Sequence, residues 1–233
     1  MLDRMSTMPP LDGPGSVATP RRILGIAIGL SLLMTSGCAA YRPSESGYLG
    51  DYSGLRKDPF HLNRGLGLER ARSRSAPAEA VAKIDSYYIE PVQWLVPDSN
   101  RASRNPARRD NFRTVLGQSL REELGRLKPI VEVPGPRTAR VRSAITVVNL
   151  ARPVLNLALI ATVVSPVIVG PIFGGSGVVE IEAIGPDGTQ VAAVSCASSG
   201  GPLDLLGYYN KSGHVRKAMK RAAHEMEETL EGR

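Results

Sequence analysis

Val178-Val179-Glu180-Ile181-Glu182-Ala183-Ile184-Gly185-Pro186-Asp187-Gly188-Thr189-Gln190-Val191-Ala192-Ala193-Val194-Ser195-Cys196 reads as a β-hairpin. Val179, Ile181 and Ala183 alternate with Glu180 and Glu182, the period of a strand with one buried face. On this reading the strand is half exposed and both glutamates stand on its solvent side. Gly185-Pro186-Asp187-Gly188 is a run of turn residues, and Thr189 to Cys196 returns as the partner strand. Upstream, Val141, Ser143, Ile145 and Val147 alternate with Arg142, Ala144, Thr146 and Val148, which predicts another well-buried strand.

Helices flank these strands. Asn105-Pro106 predicts an N-cap with proline in the first helical position. Phe112, Val115, Leu116, Ser119, Leu120, Leu124 and Leu127 follow at helical spacing, and Lys128-Pro129 ends the run because proline disfavours a helical residue before it. A last helix is expected from about Gly213, with Ser212 at its N-cap and Val215, Ala218, Met219, Ala222, Met226 and Leu230 on one face. It carries Arg216, Lys217, Lys220 and Arg221 early and Glu225, Glu227, Glu228 and Glu231 late. That order opposes the helix dipole, so packing must hold the helix in place. Ahead of both helices, Lys83–Ile89 and Glu90–Val96 are rich in β-branched and aromatic residues, with Pro91 marking an edge or a bulge. Strand, helix, strands, helix is the order of an α+β domain, with a mainly antiparallel sheet and two helices packed on one face.

The N-terminus carries a different signal. Arg21-Arg22 precede an uncharged run from Ile23 to Met34, and Thr35-Ser36-Gly37-Cys38-Ala39 follows. A basic region, a short apolar region and small residues make an export signal with a cleavage site. The cysteine at that site resembles a bacterial lipobox, although Thr35 stands where leucine is usual. A lipobox implies cleavage before Cys38, lipidation of its thiol and acylation of the new amine. The competing reading is a transmembrane anchor, but the run falls well short of the ~20 apolar residues a spanning helix needs. Pro20 and Gly25 set the Arg21-Arg22 pair apart from a twin-arginine motif. Ala39 follows the cysteine in place of the aspartate that marks inner-membrane retention, so the expected location is the periplasm-facing outer membrane.

The expected organisation is a lipoprotein signal peptide over 1–37, lipidated Cys38 with a largely extended tether over 38–80, and an α+β domain over 81–233. Within the tether, Ser46-Gly47-Tyr48-Leu49-Gly50-Asp51-Tyr52-Ser53-Gly54-Leu55 is too apolar for a free linker and is expected to dock on the domain. Cys38 and Cys196 are the two cysteines. With Cys38 lipidated no intrachain disulfide remains, and Cys196, in an apolar run, is expected to be a buried, inert thiol.

That decapeptide, shortly after a lipobox, resembles the opening motif of the DUF3313 family of bacterial lipoproteins of unknown function. Lys83-Ile84 to Glu90-Pro91-Val92 resembles its first strand, and Ser143-Ala144-Ile145-Thr146 and Val178-Val179-Glu180-Ile181-Glu182 resemble later strands. The resemblance implies an envelope lipoprotein and no known reaction.

The formal net charge is +7. Arg56, Lys57, Arg64, Arg70, Arg72 and Arg74 form one basic cluster, and Arg101, Arg104, Arg108, Arg109 and Arg113 another. They lack the interleaved aromatics of a base-stacking surface, and export argues against nucleic acid. A solvated, membrane-facing stretch fits them, and so does attraction to anionic lipid, worth ~1 kcal/mol per cation near the surface.

Chemistry is sparse. His214 and His224 are ten residues apart and fall on different faces of one helix, and with His61 they complete the histidines; exposed helix positions are expected, not a metal pair. Gly65-Leu66-Gly67-Leu68-Glu69-Arg70 lacks the third glycine and preceding strand of a dinucleotide fingerprint. Gly174-Gly175-Ser176-Gly177 is followed by Val178, not the glycine of a nucleophile elbow. Asp51, Glu90, His61 and Ser176 are the side chains whose convergence would signal acid–base or nucleophilic chemistry. The sequence therefore assigns no catalytic, cofactor-binding or metal-ligating residue; its one site is the lipid attachment at Cys38. The expected role is a non-enzymatic binding or structural module of the cell envelope. One alternative is a subunit of an envelope transport or secretion assembly. It would self-associate, contact an envelope partner or insert through Pro153 to Val179, a segment without a charge. The other alternative is an envelope hydrolase.

Overall fold

The computed structural model describes residues 45–57, 61–62, 68–75, 78–151, 175–199 and 212–232. The signal region, Cys38 and most of the uncharged segment lie outside the described residues. The hairpin forms as expected: β7 (Ser176–Ile184) and β8 (Gln190–Ser199) pair antiparallel around the Gly185–Gly188 turn. β6 (Thr138–Asn149) pairs antiparallel with the other side of β7, with a bulge between Ile145 and Val147.

The lower-numbered strands extend the sheet at both ends. β1 (Arg56–Lys57) and β2 (His61–Leu62) both pair antiparallel with β3 (Leu68–Ser75), which pairs antiparallel with β8 from Ala192 to Ser199. β3 lies within the stretch expected to be extended tether. On the far side, β4 (Ser86–Ile89) and β5 (Gln93–Trp94) pair with β6 in parallel. The sheet is therefore mixed, ordered β1-β3-β8-β7-β6-β4 with β2 and β5 as short additions. The parallel edge follows from the long helix between β5 and β6, which carries the chain back to the end it left. Pro91 sits in the break between β4 and β5, at the sheet edge where its missing donor costs no ladder bond.

Three helices are described: α1 (Ala78–Ala82), α2 (Pro106–Leu127) and α3 (Gly213–Glu231). The side chain of Asn105 accepts from the Arg108 amide at 3.0 Å, the cap expected at the start of α2. Lys128 closes its other end in an extended conformation before Pro129. Ser212 stands at the N-cap of α3, but its hydroxyl makes no capping bond. α2 and α3 pack against each other and on one face of the sheet. None of the described helices is long and apolar enough to cross a membrane.

The core lies between those helices and the sheet. Phe112, Leu116, Leu120 and Leu124 of α2 and Val215, Met219, Ala222 and Met226 of α3 cover Val141, Ile145, Val179, Ile181, Val194 and Cys196. Cys196 is buried, as expected. Phe112 stacks on Trp94 at a centroid distance of 6.3 Å, and the Trp94 indole donates to Ser103 Oγ at 3.0 Å. At Gly177 α3 presses close on the sheet, because a Cβ there would lie 3.2 Å from that of Ala218.

Phe112 is fully buried, whereas Leu95 is 43% exposed. Phe112→Ala is expected to destabilise the fold by about 3–5 kcal/mol. Leu95→Ala should stay within about 0.5 kcal/mol of wild type. Urea unfolding of both variants checks the pair.

Candidate functional site

The sheet face opposite the helices carries charge. Antiparallel register sets Arg142, Glu182, Ala193 and Arg74 in one row across β6, β7, β8 and β3, and Ala144, Glu180, Ser195 and Arg72 in the next. The hydrophobic alternation places both glutamates on this face, but they are not at its solvent side. Glu180 is 0% exposed and Glu182 1% exposed. The half-exposed strand expected from the sequence is thus buried on both faces, because the decapeptide 46–55 lies over the glutamates as a strap.

An ionised carboxylate taken out of water must find donors or lose several kcal/mol. The strap supplies them. Glu180 Oε1 accepts from the Ser46 amide at 3.1 Å, and its Oε2 accepts from Ser46 Oγ at 2.6 Å and from the Tyr52 hydroxyl at 2.7 Å. Glu182 Oε2 accepts from the Gly50 amide and from Gln190 Nε2, each at 2.8 Å, and its Oε1 lies 3.0 Å from Arg142 Nη1. Among the described residues, every donor to Glu180 comes from the strap and none is a cation.

Tyr52 is the centre of the strap. Its hydroxyl accepts from the Gly47 amide at 3.0 Å and the Leu49 amide at 3.1 Å while donating to Glu180. That folds 47–52 into a tight loop, for which Gly47 adopts φ +84°, a value that L side chains rarely tolerate. Leu49 and Leu55 bury against Ala193, flanked by Tyr48 and Tyr52. Arg142 sits between Glu182 and the Tyr48 ring, 5.2 Å from its centroid. Burial pushes the Tyr48 hydroxyl up to about 12 against the pull of Arg142.

Charge fastens the strap and the residue before it to β3. Arg74 Nη1 pairs with Asp51 at 2.5 Å, and Arg72 Nη1 with Glu45 at 2.6 Å. Gly54 must lack a side chain, because a Cβ there would lie 2.1 Å from Arg74 Cδ. Hydrogen bonds from the Ser53 hydroxyl and amide, with Arg74 behind them, hold the Asp51 carboxyl at about 2.

The four side chains singled out for possible chemistry have separate structural settings. Asp51 fastens the strap to Arg74. Glu90 pairs with Arg140 and lines a groove of about 320 Å³ with Asp110 and Arg113, where Arg113 Nε donates to Val92 O at 2.8 Å. Ser176 Oγ accepts from Asn149 Nδ2 at 2.8 Å at the start of β7. His61 belongs to β2, and its side chain is not among those described. No described hydrogen bond or ion pair joins any two of them. His214 is 1% exposed rather than an exposed helix position, whereas His224 is partly exposed on the α2-facing side of α3. Sequence reasoning missed Glu180, Glu182, Arg74 and Arg142 as a set. The available signal was the strap motif itself, whose exposed amides and hydroxyls require an acceptor.

Tyr52→Phe leaves the Gly47 and Leu49 amides without their acceptor and removes one of the three donors to Glu180. It is expected to cost about 1–3 kcal/mol for the buried groups left unsatisfied. Amide hydrogen exchange should lose protection at Gly47, Leu49 and Gly50 while β7 and β8 stay protected. The Asp51 linkage adds a pH dependence. Its folded value is depressed, so its contribution is complete above the unfolded value of 3.8 and is lost as pH falls through about 2. Strap exchange protection measured from pH 5 to pH 2 should fall in that window, and Asp51→Asn should abolish this component.

A family model described as "Protein of unknown function (DUF3313)" matches residues 44–226, and the chain belongs to that family. The match begins beside the strap and ends within α3. No curated protein matches. Two solved structures of PelC dodecamers from Paraburkholderia phytofirmans are similar at 12% identity and a TM-score of 0.41. For one, a single-residue variant, the similarity covers 70% of this chain and 96% of that chain. For the other it covers 71% and 99%.

Proposed function

We propose that this member of the DUF3313 family is a lipid-anchored, non-enzymatic binding or structural module of the bacterial cell envelope, attached through Cys38 to the outer membrane. The observation that supports it best is the strap. Ser46 follows Cys38 by eight residues, and an extended chain spans at most about 3.6 Å per residue. Ser46 therefore lies within about 29 Å of the lipidated cysteine. Ser46 is also fixed to Glu180 by two hydrogen bonds. The strap-covered sheet face is thus held at the bilayer on a short leash. Two or more acyl chains on one cysteine suffice for stable anchoring. The non-enzymatic half of the reading rests on Asp51, Glu90 and Ser176, each engaged by its own structural neighbour. Contact with a second copy or an envelope partner through 153–179 belongs to this proposal as its route to assembly.

Labelled palmitate fed to cells expressing the full chain tests the anchor. Wild type should incorporate label and fractionate with the outer membrane, and Cys38→Ser should do neither. Incorporation into the Cys38→Ser protein would overturn the reading.

A further inference from the structure

The seam between α2 and α3 gathers three carboxylates around one imidazole. His224 Nδ1 lies 3.3 Å from Glu227 Oε2 and 3.6 Å from Glu123 Oε2. One donor atom from each of Glu123, His224 and Glu227 falls within 4.8 Å of the others. On the opposite side of the ring, Nε2 faces Glu228 Oε1 at 3.4 Å.

These distances are informative. A charge-assisted N–H···O bond closes to about 2.7–2.9 Å, and the Nδ1 contacts are longer than that. Tetrahedral zinc with bonds of about 2.0–2.2 Å sets neighbouring ligand atoms about 3.3–3.6 Å apart. The His224–Glu227 and His224–Glu123 spacings match that edge. Glu228 stands behind the ring, 3.4 Å from Nε2, while Nδ1 faces Glu123 and Glu227; a carboxylate on the far side of the ring is the common support of a metal-bound imidazole. Arg126 donates to Glu123 Oε2, which retains a second lone pair, and Arg221 lies 3.7 Å from Glu228. Glu123 and Glu227 bring two carboxylates to the seam, the first of them also paired with Arg126. Glu227 is 7% exposed and Glu123 18%, whereas His224 at 38% leaves a side open for water as the fourth ligand.

From this geometry we propose that Glu123, His224 and Glu227 bind a zinc-class divalent cation that clasps α2 to α3. His224 and Glu227 share one helical face at i, i+3, and Glu123 crosses from the neighbouring helix. Comparing histidine with histidine does not reveal this set, because two of its ligands are glutamates and one of those stands on a helix far away in sequence.

The test uses the full lipidated chain in detergent, stripped with a chelator and titrated with Zn²⁺ alone by calorimetry. One saturable equivalent per chain and a raised melting temperature are expected. Co²⁺ in its place should give the visible absorption of a tetrahedral site. His224→Gln and Glu123→Gln should each weaken Zn²⁺ binding at least tenfold, with circular dichroism verifying the fold, and His61→Ala should leave it unchanged. Absence of saturable Zn²⁺ binding to wild type would overturn the proposal. So would affinity undiminished in both seam variants, or a Co²⁺ spectrum without the tetrahedral band. The wild-type measurements decide the matter even where a variant fails to fold.

Discussion

The burial of Glu180 is the constraint on which the rest of this structure depends. A carboxylate in the middle of a central strand, with no described cation in ion-pair reach, is tolerable only while neutral donors saturate it. Ser46 and Tyr52 are those donors, so strap and strand specify each other. The same logic reaches outward. Glu182 takes Gly50, Gln190 and Arg142, and Arg142 takes Tyr48. Arg74 and Arg72 then fasten Asp51 of the strap and Glu45 before it to β3. The result is a sheet with an apolar seal of helices on one face and a polar, hydrogen-bonded seal on the other.

The two seals differ in what they demand of sequence. An apolar core tolerates volume-conserving exchange, since neighbouring side chains repack. A buried polar network does not, because each lost partner strands a group in low dielectric. Gly47 and Gly54 add backbone and steric requirements that no other residue meets easily. Short as it is, the strap therefore carries a tighter specification than the helices opposite.

The sequence made the hairpin, β6 and both long helices legible, because a single period dominated each. Asn105-Pro106 and Lys128-Pro129 marked the ends of α2 through local chemistry. The docking of 46–55 was legible from its composition, and the family from its motif. Glu180 and Glu182 were misplaced because alternation reports which side a residue takes, not what covers that side. β3 was hidden for a related reason. Its helix-facing residues, Ala71, Ser73 and Ser75, are small, and Arg70, Arg72 and Arg74 alternate with them, so no apolar stripe announced a strand. The parallel edge required knowing that β4 and β6 meet, a pairing set by the path of the chain and not by either strand alone. The Glu123–His224–Glu227 seam was invisible because it joins two helices distant in sequence.

The separation between the strap and its acceptors has a temporal consequence. Ser46 and Glu180 are 134 residues apart, and Tyr52 and Glu180 are 128 apart. Closing so long a loop comes late, after the local helices and the hairpin have formed. The strap, which precedes the strands of the sheet in the chain, is therefore among the last segments to be fixed. Until β7 is complete, residues 46–55 have no Glu180 to dock on and stay free of the sheet. Docking of the strap then marks the end of that interval, a built-in signal that the domain behind it has finished folding.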